Sequence, residues 1–132
     1  MRDEEFLERF ENCTLPKESF HHKDHVRLAW LYLRSRPLLE ALKRFSESLK
    51  RFARAHGKGG LYHETITWAY MFLINERMMR GEETSWEEFA DNNPDLFNWK
   101  ESVLGAYYNE ETLKSELSKR IFVFPDKLDK CR

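Results

Sequence analysis

The sequence predicts an all-α fold: a compact bundle of four main helices plus short C-terminal helices, forming a single domain over residues 1–132. Three observations predict it. Apolar residues recur at three- and four-residue steps through the longer segments, the period of a helix with one buried face. Prolines and glycines interrupt that period at intervals that suit short loops between helices. Hydrophobic residues make up 41% and aromatic residues 14%, and at 132 residues the chain can bury a core without disulfides or metals as staples.

The elements follow in order. "RDEEFLERFENC" places Phe6, Leu7 and Phe10 on one side, with its acids early, where the helix dipole favours them. Pro16 in "TLPKESF" breaks the period, and Ser19 can cap a second helix that runs to about Arg36 before Pro37 stops it. The third helix begins at Pro37 or Leu38. Leu38, Leu42, Phe45, Leu49 and Phe52 form its apolar stripe, and Gly57 ends it as a left-handed glycine. The loop "HGKGGLYHET" feeds a fourth helix over roughly Leu61 to Arg80, stopped by Gly81. Ile66, Trp68, Ala69, Phe72, Leu73 and Ile74 make it apolar on most sides, so it is expected to be the most buried element. Ser85 and Glu88 form a capping box for "SWEEFADNN", which Pro94 ends. "LFNWKESVLGAYY" reads as one or two broken turns, and Asn109 can cap "EETLKSELSKR". For the closing "IFVFP" the pattern leaves strand and core-packed tail both open.

Composition narrows the function. Lys+Arg 22 against Asp+Glu 23 gives a net charge of -1, not the concentrated positive field that nucleic-acid binding calls for. The one basic run, Leu42 to Lys58, reads as a solvated helix face. No run of 18 or more apolar residues exists to span a membrane, and the amino terminus does not resemble a signal peptide. Cys13 and Cys131 do not form a disulfide framework. The expected location is cytoplasmic.

Histidine placement carries the chemistry. "FHHKDHVRLAW" holds three of the five histidines, and "YHETITWAY" a fourth. At about 100° per residue, His22 lies in line with Val26 and Leu33, and His25 lies beside Ala29. Ala29 is small enough to let a neighbouring helix approach. His63 opens the fourth helix in line with Thr67, Tyr70 and Ile74, and Glu64 follows on the next face. An up-down-up path makes the second and fourth helices parallel, which would bring His22, His25 and His63 to one end of the bundle. Three neutral imidazoles would suit zinc, or iron, manganese or nickel with added ligands. Glu64 could then serve as a fourth ligand or as general base on a metal-bound water. Tyr62, Thr67, Tyr70 and Trp30 are candidates for the surrounding pocket. His21 is expected to be peripheral, and His56 to interact with a helix C-terminus. The competing explanation is ordinary: histidines at helix starts are commonly solvated or bonded to backbone. "HET" is not a zincin motif either, because Thr67 stands where HExxH requires its second histidine.

Together, the F-x-H-x-x-H helix start at Phe20–His25 and the Y-H-E-T-I-T segment at Tyr62–Thr67 resemble a group of small bacterial helical proteins of unassigned function. The likeness covers most of residues 10 to 125. It implies that His22, His25, His63 and Glu64 belong together, and it brings no activity with it.

The leading expectation is therefore a metal-binding helical protein, an enzyme acting on a small molecule by metal-assisted hydrolysis or oxygen chemistry. The alternative is a metal-free small-molecule binding or regulatory module. In it Glu64 pairs with a histidine, and Trp30, Tyr62 and Trp68 line an apolar cavity.

Overall fold

The computed structural model describes residues 2–127, so Cys131 lies outside the described residues. Among the described residues seven α-helices form: α1 (Asp3–Glu11), α2 (His22–Ser35), α3 (Leu38–Ala55), α4 (Glu64–Arg80), α5 (Trp86–Asn92), α6 (Glu110–Lys114) and α7 (Glu116–Arg120). Single 3-10 turns at Lys17–Ser19, Gly59–Leu61, Pro94–Phe97 and Val103–Ala106 link them, and no strand occurs among the described residues.

α1 buries Phe6 and Phe10. Phe10 sits in an aromatic cluster with ring centroids 5.6 Å from Phe20, 6.1 Å from Phe45 and 5.4 Å from Phe52. Offset and tilted rings at such separations add to the roughly 1.5–3 kcal/mol gained by burying each large apolar side chain. Just past its end stands Cys13, whose φ of 64° is left-handed, while the Thr14 N–H reaches back to the Arg9 carbonyl at 2.9 Å. This is a glycine-type helix stop built without glycine.

α2 begins at His22, three residues after Ser19. Its N-cap is His21, whose N–H donates to the Asp24 carboxylate at 2.8 Å. An acid at the third helical position thus does what the sequence suggests for Ser19. α3 carries the expected stripe, burying Leu42, Phe45, Leu49 and Phe52, and Gly57 (φ 71°) closes it.

The most buried element is α2 and not α4. α2 buries Val26 and the unbroken run from Leu28 to Leu33, whereas α4 buries only Thr65, Thr67, Tyr70, Met71 and Ile74. α2 touches α1, α3, α4 and the Pro94–Phe97 turn, so it is enclosed on nearly every side. The outer face of α4 is covered more thinly: Trp68 stacks on Phe122 at 5.5 Å, and Phe72 meets the same ring edge-on.

Residues 110–120 do not form one helix. Ser115 is extended, and its hydroxyl accepts from the Ser118 N–H to start α7. Asn109 makes no side-chain cap and is held by Asp126 instead. "IFVFP" is an extended tail pinned to the start of α4. The buried Thr65 hydroxyl donates to the Ile121 carbonyl at 2.7 Å and accepts from the Val123 N–H at 3.0 Å. The Tyr108 hydroxyl donates to the Val123 carbonyl at 2.6 Å.

Candidate functional site

A cavity of about 730 Å³ opens at one end of the bundle. Its wall includes residues from the start of α2 (His21, His22, His25), the end of α3 (Phe52, Ala53, His56) and the start of α4 (His63, Ile66, Thr67). α2 and α4 thus begin at the same end, where α3 finishes, as an up-down-up path requires. All five histidines line the cavity. Ala29 lines it too, so its small side chain leaves volume there.

The three expected ligands share this wall, but they do not share a ligating centre. The His22 Nε2 is 2.8 Å from the Leu96 carbonyl oxygen and donates to it. His63 is the N-cap of α4: its Nδ1 accepts from the Ile66 N–H at 3.1 Å, while its Nε2 donates to the Leu113 carbonyl at 2.6 Å. Both ring nitrogens are therefore committed to backbone, leaving no lone pair for an ion. The His25 ring lies against Phe20 at 4.4 Å, with no hydrogen bond to its nitrogens among the described residues. No group of three or more His, Cys, Asp or Glu side chains able to hold a metal stands together among the described residues. As placed, these residues do not fit the expected divalent ion.

Glu64 points elsewhere. Its carboxylate accepts from the Tyr62 hydroxyl at 2.6 Å and lies 3.9 Å from the Lys50 ammonium, so it pairs with neither a histidine nor the cavity. Tyr62, Thr67 and Tyr70 do line the cavity, and the Tyr70 hydroxyl shares a hydrogen bond with Ser102 at 2.7 Å. Trp30 and Trp68 do not. Trp30 is core, 5.8 Å from Trp86 and under the Arg34 guanidinium, and Trp68 faces the tail. The helical wheel placed these indoles on the correct helices, but only the neighbours decide which face meets a cavity.

Electrostatics keeps the imidazoles neutral. Burial lowers the pKa of His22, opposed by the bond to Leu96. Burial, assisted by neighbouring His22, pushes His25 down to about 4. Burial also lowers His63, against its bond to Leu113, and the Lys119 charge adds to that lowering. Near pH 7 each ring is an uncharged donor-acceptor. Burial raises the Tyr62 and Tyr70 phenols, so both stay protonated.

His56 and Trp99 line the cavity outside the site that the sequence predicts. His56 has a buried Nε2 with no hydrogen-bond partner among the described residues, and its ring lies 4.4 Å from Phe52. The signal was present, because the α3 stripe continues from Phe52 by one four-residue step to His56. Trp99, whose ring lies 4.9 Å from His22, carried no such signal, since it sits in irregular chain. No family model, no curated protein and no solved structure matches the chain.

Proposed function

We propose that the chain is a small-molecule binding or regulatory module that works without a metal, through the cavity between α2, α3 and α4. One observation carries the reading: a cavity of about 730 Å³, walled by aromatic and aliphatic side chains and lined by His25 and His56, whose ring and whose buried Nε2 respectively have no hydrogen-bond partner among the described residues. Small-molecule sites have this character, mostly apolar with a few polar groups that fix orientation, in volumes of about 300–1,000 Å³. A buried polar nitrogen without a partner costs about 1–3 kcal/mol, which a bound ligand atom can recover. No described helix is long and apolar enough to cross a membrane.

The test is occupancy of the cavity. An environment-sensitive apolar dye should bind saturably at one site per chain. The cavity-filling substitution Ala29→Phe should abolish that binding while the helical circular dichroism stays unchanged. Equal dye binding by a folded Ala29→Phe variant would sink the reading. So would a stoichiometric divalent ion retained by protein purified without a histidine tag, which would reinstate the metal-dependent enzyme.

A further inference from the structure

The cavity has two zones, and their chemistry differs. Deeper in, Val26, Ala29, Phe45 and Ile74 are buried and offer only hydrocarbon. Ala29 lies four residues along α2 from His25, about 6 Å at the helical rise. The end zone holds the bondless His25 ring and the orphaned His56 Nε2, with Lys17 and Lys58 exposed on the rim. Neither lysine is in an ion pair among the described residues.

Helix polarity adds to this asymmetry. α2 and α4, of 14 and 17 residues, both begin at this end. Each directs the positive end of its dipole here. One helix end and three carboxylates oppose them. α3 finishes here, but its Phe52, Ala53 and Arg54 carbonyls already accept from the His56, Lys58 and Gly57 N–H groups. Of the nearby carboxylates, Asp24 is bonded to the His21 N–H at 2.8 Å and Glu64 to Tyr62 at 2.6 Å. Glu18 is exposed at the rim, one acid beside two lysines.

We propose that the cavity takes an amphiphilic monocarboxylate: its apolar body lies against Val26, Ala29, Phe45 and Ile74, and its carboxylate meets His25, His56 and the Lys17 and Lys58 ammonium groups. The assignment rests on the binding reading above. A carboxylate supplies the partner that the His56 Nε2 lacks when that nitrogen carries the ring proton. A cation would meet two lysines and two helix N-termini, and a neutral alcohol would leave that field unused.

Two matched probe series test it by calorimetric titration of the full chain: octanoate, octanol and octylamine, then cinnamate, cinnamyl alcohol and cinnamylamine. At least one of the carboxylates should bind about tenfold or more tightly than its alcohol, because charge-assisted hydrogen bonds are roughly twice as strong as neutral ones. Both amines should bind more weakly than their alcohols. His56→Leu should weaken carboxylate binding by about tenfold, which corresponds to one charge-assisted bond, and alcohol binding by only about threefold, since a neutral bond is worth about half as much. Should His56→Leu fail to fold, Lys58→Gln on the exposed rim and the salt dependence of octanoate binding carry the same comparison. Alcohols binding as tightly as acids would overturn the inference and leave the pocket reading standing. Failure of all six probes while the apolar dye still binds would do the same. Loss of dye and probe binding together would remove both.

Discussion

The His25 imidazole should make the protein acid-sensitive by a predictable amount. Burial against Phe20 and the neighbouring His22 hold its pKa at about 4, against 6.5 for the free side chain. Above about pH 6.5 the folded and unfolded chains both carry the neutral ring, and stability is complete. As pH falls from there towards 4 the unfolded chain takes up the proton first, so stability declines through that window and levels off below it. At about 1.4 kcal/mol per pH unit the full difference is about 3 kcal/mol, and solvent reaching the cavity wall moderates it to about 2–3 kcal/mol. His22 and His63 act in the same direction, and the lowered carboxylate of Glu11 adds a loss at lower pH, so the wild-type curve alone does not isolate His25. The comparison is with His25→Gln, which stays neutral throughout. Urea unfolding of both proteins, followed by circular dichroism from about pH 7 to pH 4, should show the wild type losing about 2–3 kcal/mol more than the variant. Parallel curves, within about 0.5 kcal/mol, would refute the argument that the folded protein keeps this imidazole uncharged.

Three further outcomes follow from the same structure. Thr65→Val removes the hydroxyl that bonds Ile121 and Val123, and should cost about 1–3 kcal/mol; amide exchange at Val123 should accelerate, and an unchanged rate would show that the tail does not depend on that pin. Cys13→Gly relieves a left-handed backbone and should raise stability by on the order of 0.5–1 kcal/mol in thermal melts, where a loss would mean that the packing of the thiol outweighs the strain. Met71→Ala, at a fully buried position, should cost about 2–5 kcal/mol in urea unfolding, and a loss below about 1 kcal/mol would contradict its place in the core.

The helices and most of their boundaries were legible in the sequence because local rules decide them. Apolar period, proline and glycine stops, and the Ser85 cap, which accepts from the Glu88 N–H at 3.2 Å, act within a turn or two of chain. The three-helix path was legible too, and with it the meeting of His22, His25 and His63 at one cavity. What those side chains bond to was not. The partners of His22 and His63 are carbonyls of Leu96 and Leu113, 74 and 50 residues away. Backbone carbonyls of irregular segments leave no mark in residue identity. The same holds for the tail, whose conformation rests on Thr65, 56 residues from Ile121.

A helical bundle with a histidine-rich end was readable from residue order alone, since helix formation and polarity follow from neighbours along the chain. Packing between distant segments made that end a cavity. It directed Glu64 to Tyr62, spent both nitrogens of His63 on backbone, and left the His25 ring and the His56 Nε2 without a hydrogen-bond partner among the described residues. Those choices depend on which distant carbonyl or hydroxyl arrives first at a buried polar atom, because every such atom seeks a partner and sequence spacing does not say who is near.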